Sequence, residues 1–221
     1  PDGPPWPGGV RSPASGLRAL HPAPLVRPLE RRAGGVKGFD RPDPRFSLCG
    51  LMCGLCPIHH MANGCPGCGG GAGNQSCAIA RCSLSHGGVE YCWQCGEYPC
   101  QRYKGFYDYD SFLPARSAPR DIQRFQEMGP DAFRVELDAK TEILEELLGG
   151  YNAGRKKTFF CTAVNLLPLP DLHAVMAEIR AASDGLEGLP EREAAAVGAL
   201  TALAQRQGVS LSLRKKPRAK P

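Results

Sequence analysis

The chain is 221 residues long, enough for one ordinary domain or two small ones, and its formal net charge is +5. No window approaches the roughly 20 apolar residues that a membrane-spanning helix needs, and no stretch has the pattern of a signal peptide. The composition excludes a membrane span and favours a cytoplasmic protein.

The positive charge lies at the two ends of the chain. Residues 1–45 carry a net charge of +4 and residues 208–221 a net charge of +5, which leaves −4 for residues 46–207. A mildly acidic centre disfavours a fold built to bind nucleic acid. Only the basic tail is expected to touch polyanions, and only weakly, so a protein is the favoured partner.

The first predicted segment, residues 1–45, holds ten prolines and seven glycines and has no helical or alternating apolar period. Such a composition cannot bury a core and predicts a disordered lead-in. Ordered chain is expected to begin near Phe46. From there to Phe112 the chain is rich in glycine and cysteine, and we predict a cysteine-rich metal-binding module over residues 46–112.

Residues 113–207 have the apolar spacing of amphipathic helices, punctuated by proline and glycine. The pattern predicts helices over residues 119–128, 130–148, 171–182 and 190–207, with a further apolar run over residues 158–167. Residues 208–221 are predicted to form a basic flexible tail. The expected fold is mainly α, with a small, irregular, metal-organised module of zinc-knuckle type packed on a C-terminal helical part.

Ten of the chain's 11 cysteines fall in the predicted module, mostly in closely spaced pairs. A C-x-x-C step lets one turn of backbone aim two thiolates at the same metal ion. We predict that these cysteines are the metal ligands: Cys49, Cys53, Cys56, Cys65, Cys68, Cys77, Cys82, Cys92, Cys95 and Cys100.

In the simplest arrangement, three C-x-x-C pairs and the wider pair of Cys77 and Cys82 supply eight ligands, enough for about two zinc ions. Cys49 and Cys100 are then left over. The spacing does not say which cysteines share an ion, and sequential and interleaved pairing both fit it.

Glycine and histidine residues also bear on the predicted metal sites. A glycine follows the second cysteine of two C-x-x-C pairs, at Gly69 and Gly96, where a metal knuckle often needs a positive φ. A histidine can replace one cysteine in a zinc site, and the candidates are His59, His60 and His86. The sequence does not choose among them.

The module has too few large apolar residues to fold by burial alone, so its stability is expected to come from metal. One structural zinc contributes on the order of 10–16 kcal/mol of apparent binding free energy, which is coupled to folding. An iron–sulfur cluster for electron transfer or redox sensing is the alternative, and disulfides come third. Cys49, Cys53 and Cys56 have the spacing of the cluster loop in radical S-adenosylmethionine enzymes. No repeated β/α pattern follows them, which disfavours that enzyme class.

The cysteine-rich stretch is similar to a known family. The residues that show the likeness are Cys49-Gly-Leu-Met-Cys-Gly-Leu-Cys-Pro57, Cys65-Pro-Gly-Cys68, Cys77-Ala-Ile-Ala-Arg-Cys82, Gly88-Val-Glu-Tyr-Cys92-Trp-Gln-Cys95 and Glu97-Tyr-Pro-Cys100. Over residues 46–104 they resemble the domain of unknown function 3795 family, cysteine-rich proteins mainly of bacteria and archaea. The run from Gly154 to Cys161 looks like the helical extension of longer members. The resemblance implies a metal-binding module, usually taken to hold zinc, and no particular reaction.

No Ser-His-Asp set, paired-carboxylate motif or nucleotide fingerprint stands out, so the sequence favours a protein that is not an enzyme. Cys161, the one cysteine outside the cluster, lies in an apolar context and is interpreted as a buried small hydrophobe on a core helix rather than a nucleophile. The sequence thus predicts a cysteine-rich, zinc-binding protein whose metal is structural and whose surface serves a protein partner.

Overall fold

The computed structural model describes residues 36–71 and 77–217. These residues form six α-helices and no strand, so the fold is mainly α, as the sequence predicts. The helices are α1 (Ala78–Ser85), α2 (Ala118–Met128), α3 (Pro130–Gly150), α4 (Lys157–Leu166), α5 (Leu169–Ala182) and α6 (Leu189–Arg206). Single 3₁₀ turns lie at Cys53–Leu55, Cys92–Gln94, Gln101–Tyr103 and Ala115–Ser117. None of the helices in the described ranges is long and apolar enough to cross a membrane.

Proline and glycine set the helix boundaries beyond the module. Pro119, Pro130 and Pro190 stand in first turns, where the missing N–H has no helical partner and the fixed φ suits the helix. Gly129, at φ +81°, ends α2 and precedes α3, a conformation that glycine adopts at little cost. The four predicted helices all form, with ends within two residues of the prediction, and the predicted apolar run is α4.

The helical region packs around α3. This helix contacts α2, α4, α5 and α6. The largest fully buried side chains of the region are Leu137, Leu144, Leu147, Phe160, Leu167, Leu172, Met176 and Ile179, together with Lys140. Full burial of a large apolar side chain contributes about 1.5–3 kcal/mol, so apolar packing accounts for this half of the fold.

Lys140 is the charged member of that buried set. Its side chain is 1% exposed, and Nζ donates to the Leu167 carbonyl oxygen at 2.9 Å and lies 4.0 Å from Glu136 Oε1. The fully buried Asp121 carboxylate accepts a hydrogen bond from Arg120 Nη2 at 3.0 Å. Burial lowers the pKa of Lys140 to about 8 because an ammonium is disfavoured away from water.

Aromatic side chains join the cysteine-rich module to the helices. The Phe46 ring centroid lies 4.6 Å from that of Phe133 and 5.3 Å from that of Phe125, and Tyr91 stacks on Trp93 at 4.4 Å. These rings belong to, or pack against, the same apolar core as the helical leucines. The module's separate core is much smaller and consists of Leu48, Cys49, Ile79, Ala80, Cys92 and Tyr103.

The folded part extends further toward both ends than the sequence predicts. Arg41 is buried and donates to backbone carbonyls, so part of the predicted lead-in is folded; its residues 1–35 lie outside the described residues. At the other end, Arg214 donates to both oxygens of the fully buried Asp110 carboxylate. Val209 and Leu211 pack against the core. Arg214 therefore attaches the described part of the predicted flexible tail to the module. The composition does not reveal this contact, because Asp110 is distant in sequence.

Candidate metal centres

Eight of the ten module cysteines line two separate cavities. The first cavity has a volume of about 110 Å³ and is lined by Cys53, Cys65, Cys68 and Cys77. The second cavity has a volume of about 30 Å³ and is lined by Cys82, Cys92, Cys95 and Cys100. Each cavity thus has the number of thiols that one tetrahedral zinc site uses.

Helix α1 separates the two groups of cysteines. Cys77 immediately precedes the helix and lines the first cavity, whereas Cys82 lies within the helix and lines the second. Five residues advance a helix by about 140° beyond one full turn, so two side chains at this spacing point to different sides. The first four of these eight cysteines in the chain therefore line one cavity and the last four line the other. Cys77 and Cys82, the wider pair, do not share a cavity.

Backbone geometry shapes the wall of the first cavity. The Cys68 N–H donates to the Pro44 carbonyl oxygen at 2.8 Å. Gly67 has φ +99°, and a Cβ at this position would lie 2.4 Å from the same Pro44 oxygen, so only glycine fits. Gly69, with φ +77°, confirms the positive φ predicted after the second cysteine of this knuckle. That prediction is wrong for Gly96, which is not among the described glycines with positive φ.

Arg41 supports the same wall from inside the protein. Its Nε donates to the Glu90 carbonyl oxygen at 3.0 Å, and its Nη1 donates to the Phe46 carbonyl oxygen at 2.7 Å and reaches that of Cys68 at 3.4 Å. The guanidinium carbon lies 4.8 Å from the centroid of the Tyr91 ring, in a cation–π arrangement. Arg41 thus ties three separate segments to the first cavity, a role that its proline-rich sequence context does not signal.

Burial favours the protonated form of the cavity thiols. It raises the pKa of Cys92 to about 11, and it raises the pKa of Cys53 well above its usual range. The neighbouring thiols of Cys68 and Cys49 raise the pKa of Cys53 further. For Cys68, burial also raises the pKa, and the positive charge of Arg41 is among the groups that oppose the rise. Because burial and mutual repulsion both disfavour thiolates, several of them can share a cavity only around a cation.

The thiols share the cavities without converging on one point. Over residues 36–71 and 77–217, no three Cys, His, Asp or Glu side chains stand close enough together to hold a metal ion. A cysteine side chain has one rotatable bond with three staggered positions. Coordination of an ion would therefore require thiols of one cavity to turn toward each other about these bonds.

Three of the 11 cysteines line neither cavity. Cys49 is buried with its Sγ 3.1 Å from Ser47 Oγ, and burial raises its pKa to about 12. Cys161 is fully buried in α4, as predicted, and burial raises its pKa to about 12. Cys56 is half-buried beside the Cys53–Leu55 turn. Of the two cysteines that the simplest arrangement leaves over, Cys49 stays outside, whereas Cys100 lines the second cavity.

Among the three candidate histidines, His86 is the one that lines a cavity. His59 Nδ1 lies 2.8 Å from the Cys65 carbonyl oxygen, and His60 Nε2 lies 2.8 Å from that of Gly54, so each has one ring nitrogen occupied by backbone. His86 stands at the C-terminal end of α1 and lines the second cavity.

The chain matches no protein-family model, no curated protein and no solved structure.

Proposed function

We propose that this protein binds two zinc ions, one in each cavity, and that both ions are structural. The observation that carries the proposal is the division of eight cysteines into two groups of four, on different sides of α1. Four thiolates, or three thiolates and a histidine, are the usual ligand sets of structural zinc. A metal–thiolate role suits a reducing compartment such as the cytoplasm, where thiols are kept reduced.

A structural role follows from the sparse apolar core of the module. Its own core consists of six buried residues, of which two are cysteines. A zinc ion with four protein ligands has no open position for a substrate, and it contributes on the order of 10–16 kcal/mol to folding. The proposed ions therefore stabilise the module and perform no reaction.

A single ion suits the second cavity better than an iron–sulfur cluster does. The second cavity, at about 30 Å³, is the smaller of the two, and a single ion needs less room than a cluster of several irons and sulfides. The first cavity, at about 110 Å³, is the larger. Of the three cysteines spaced like a radical S-adenosylmethionine loop, only Cys53 lines it, which disfavours that enzyme's cluster.

The proposed role of the folded protein is to present a surface to a protein partner. Tyr109 and Phe112, at the C-terminal end of the module, are 41% and 46% exposed, and aromatic residues are enriched at protein interfaces. Nucleic acid suits the chain less well, because Arg214 of the basic tail is paired with Asp110. The resemblance of the cysteine motifs to the domain of unknown function 3795 family supports the zinc-binding part of the proposal and implies no particular partner.

Elemental analysis of protein purified without oxygen, with an absorption spectrum of the same sample, tests this function. We expect about two zinc ions per chain and no visible band, because zinc has a filled d shell. Iron with acid-labile sulfide would contradict the proposal, and so would a chain that carries no metal. Cys161→Ser is the matched control and is expected to keep both ions, because Cys161 lines neither cavity.

A further inference from the structure

The second cavity offers five donors to an ion that takes four. The donors are Cys82, His86, Cys92, Cys95 and Cys100. Structural zinc is almost always four-coordinate and tetrahedral, so one of these donors must remain free. The surroundings of His86 and of Cys100 indicate which donor that is.

His86 and Cys82 are separated by one helical turn at the end of α1. Cys82 Sγ lies 3.6 Å from His86 Nδ1. A Zn–S bond of about 2.3 Å and a Zn–N bond of about 2.0–2.1 Å, joined at the tetrahedral angle, place sulfur and nitrogen about 3.6 Å apart. This pair therefore already has the separation of two ligands of one zinc ion.

The other ring nitrogen of His86 faces a carboxylate. His86 Nε2 lies 3.5 Å from Glu97 Oε1. Zinc-bound histidines commonly donate their second N–H to a carboxylate, which fixes the tautomer and the orientation of the ring. With the proton on Nε2, the lone pair of Nδ1 is available to a metal ion.

Nδ1 has two further neighbours that offer His86 a different role. The Cys82 carbonyl oxygen lies at 2.9 Å and the Ser85 hydroxyl oxygen at 3.2 Å. With the proton on Nδ1, His86 would donate to that carbonyl and serve only to cap the end of α1. If His86 is a zinc ligand, its removal should release an ion, and if it only caps the helix, its removal should leave the ion bound.

Cys100 differs from the other four donors because it also borders a groove at the surface. It lines an open groove of about 440 Å³ together with Pro99, Gln101, Tyr103, Lys104 and Tyr107. None of the other four donors lines this groove. Cys100 is half-buried and is the one of the five donors that borders both the second cavity and the groove.

We propose that the second zinc ion is held by Cys82, His86, Cys92 and Cys95, and that Cys100 remains a free thiol open to soft electrophiles from the groove. This ligand set rests on the proposed function, in which the protein binds two zinc ions. With a maleimide, the Cys100 sulfur forms a bond to one alkene carbon while the C=C π bond opens. The neighbouring carbon takes up the proton that the thiol releases, and no zinc ligand is consumed.

Native mass spectrometry of the zinc-loaded full chain tests the ligand set. We expect His86→Ala to fall from two bound zinc ions to one, because in the proposed ligand set Cys100 stays at the groove and does not replace the imidazole, and we expect Cys100→Ser to keep both. His86→Cys should regain the second ion because a thiolate replaces the imidazole, whereas a helix cap would not be restored by cysteine. His173→Ala, at an exposed position of α5, is the matched control and should keep both ions.

Loss of an ion from Cys100→Ser, or retention of both ions by His86→Ala, overturns the proposal. A wild-type chain without two zinc ions instead contradicts the proposed function, so the two failures remain distinguishable. Treatment of the zinc-loaded wild type with N-ethylmaleimide, followed by peptide mapping, gives a second readout. We expect Cys100 to react before Cys92 and Cys95 with no loss of zinc, and equal protection of the three thiols would overturn the proposal.

Discussion

The helical region and the cysteine-rich module are stabilised by different physical means. In the helical region Leu144, Leu147 and Phe160 are each 0% exposed, and they belong to a core that runs through five helices. The module's own core has six members, of which two are cysteines, and its thiols gather at two cavities instead. One half of the chain therefore folds by burying apolar faces, and we propose that the other half depends on the two ions.

The two regions are nevertheless joined through one core. Phe46 and Tyr91 of the module pack on Phe125 and Phe133 of the helical region, with ring centroids 4.6–5.3 Å apart. Leu55 belongs to the same core. The inner face of the module is thus stabilised by apolar packing. We propose that the outer part, around α1 and the two cavities, is stabilised by the ions.

Removal of zinc is expected to have the largest effect, because each structural ion contributes on the order of 10–16 kcal/mol. A strong chelator should expose the backbone amides around both cavities to solvent exchange, while α3, α5 and α6 stay protected. Peptide-resolved hydrogen–deuterium exchange measures both regions in one experiment. A module that keeps its protection, or an α3 that loses it, would remove the contrast between the two regions.

Phe46→Ala is expected to weaken the junction between the regions. The Phe46 side chain is 0% exposed and contacts four other aromatic rings, so truncation should cost about 3–5 kcal/mol of unfolding free energy. Urea unfolding of the zinc-loaded protein, followed by circular dichroism, measures the loss. Val135→Ala, on the exposed side of α3 where the side chain is 69% exposed, should stay within about 0.5 kcal/mol of wild type. Equal losses in the two variants would show that Phe46 does not join the regions.

Lys140 should give the helical region a smaller dependence of stability on pH. Below pH 8 the lysine is protonated in both folded and unfolded chains, and the folded chain bears the full cost of the buried charge. Between about pH 8 and pH 10.5 the folded chain alone releases the proton, so the unfolding free energy should rise with pH, by at most about 3 kcal/mol.

The groups that face Lys140 are Asp121 and Glu136, which favour its charge, and Arg120 and Arg124, which oppose it. Comparison of wild type with Lys140→Met by urea unfolding at pH 7.5 and pH 10.5 isolates the contribution of the lysine, because other titrating groups are common to both chains. Parallel changes in the two proteins would mean that the ammonium is not strained by burial.

The helical region could be predicted because its signals are local. Phe133, Leu137 and Leu144 recur at helical spacing, and Gly129 with Pro130 marks a boundary, so α3 follows from the sequence. The burial of Lys140 in this helix could not be predicted in the same way. Its hydrogen-bond acceptor, the Leu167 carbonyl oxygen, belongs to the end of another helix.

The division of the cysteines could not be predicted from their spacing, because it depends on contacts between residues far apart in sequence. The helical turn between Cys77 and Cys82 was a local clue, since five residues rotate two side chains to different sides. Arg41 gave no local clue. It lies in a proline-rich stretch, and its Nε donates to the carbonyl of Glu90, 49 residues away.

Counting zinc ions by native mass spectrometry in Cys77→Ser, in Cys82→Ser and in the double variant tests the central claim most directly. In the proposed ligand set Cys100 does not bind the ion and so does not replace Cys82. If α1 divides its two cysteines between two ions, each single variant should then keep one ion and the double variant should keep none. If the two cysteines share one ion, the double variant would still keep the other, and that result would contradict the two-site account.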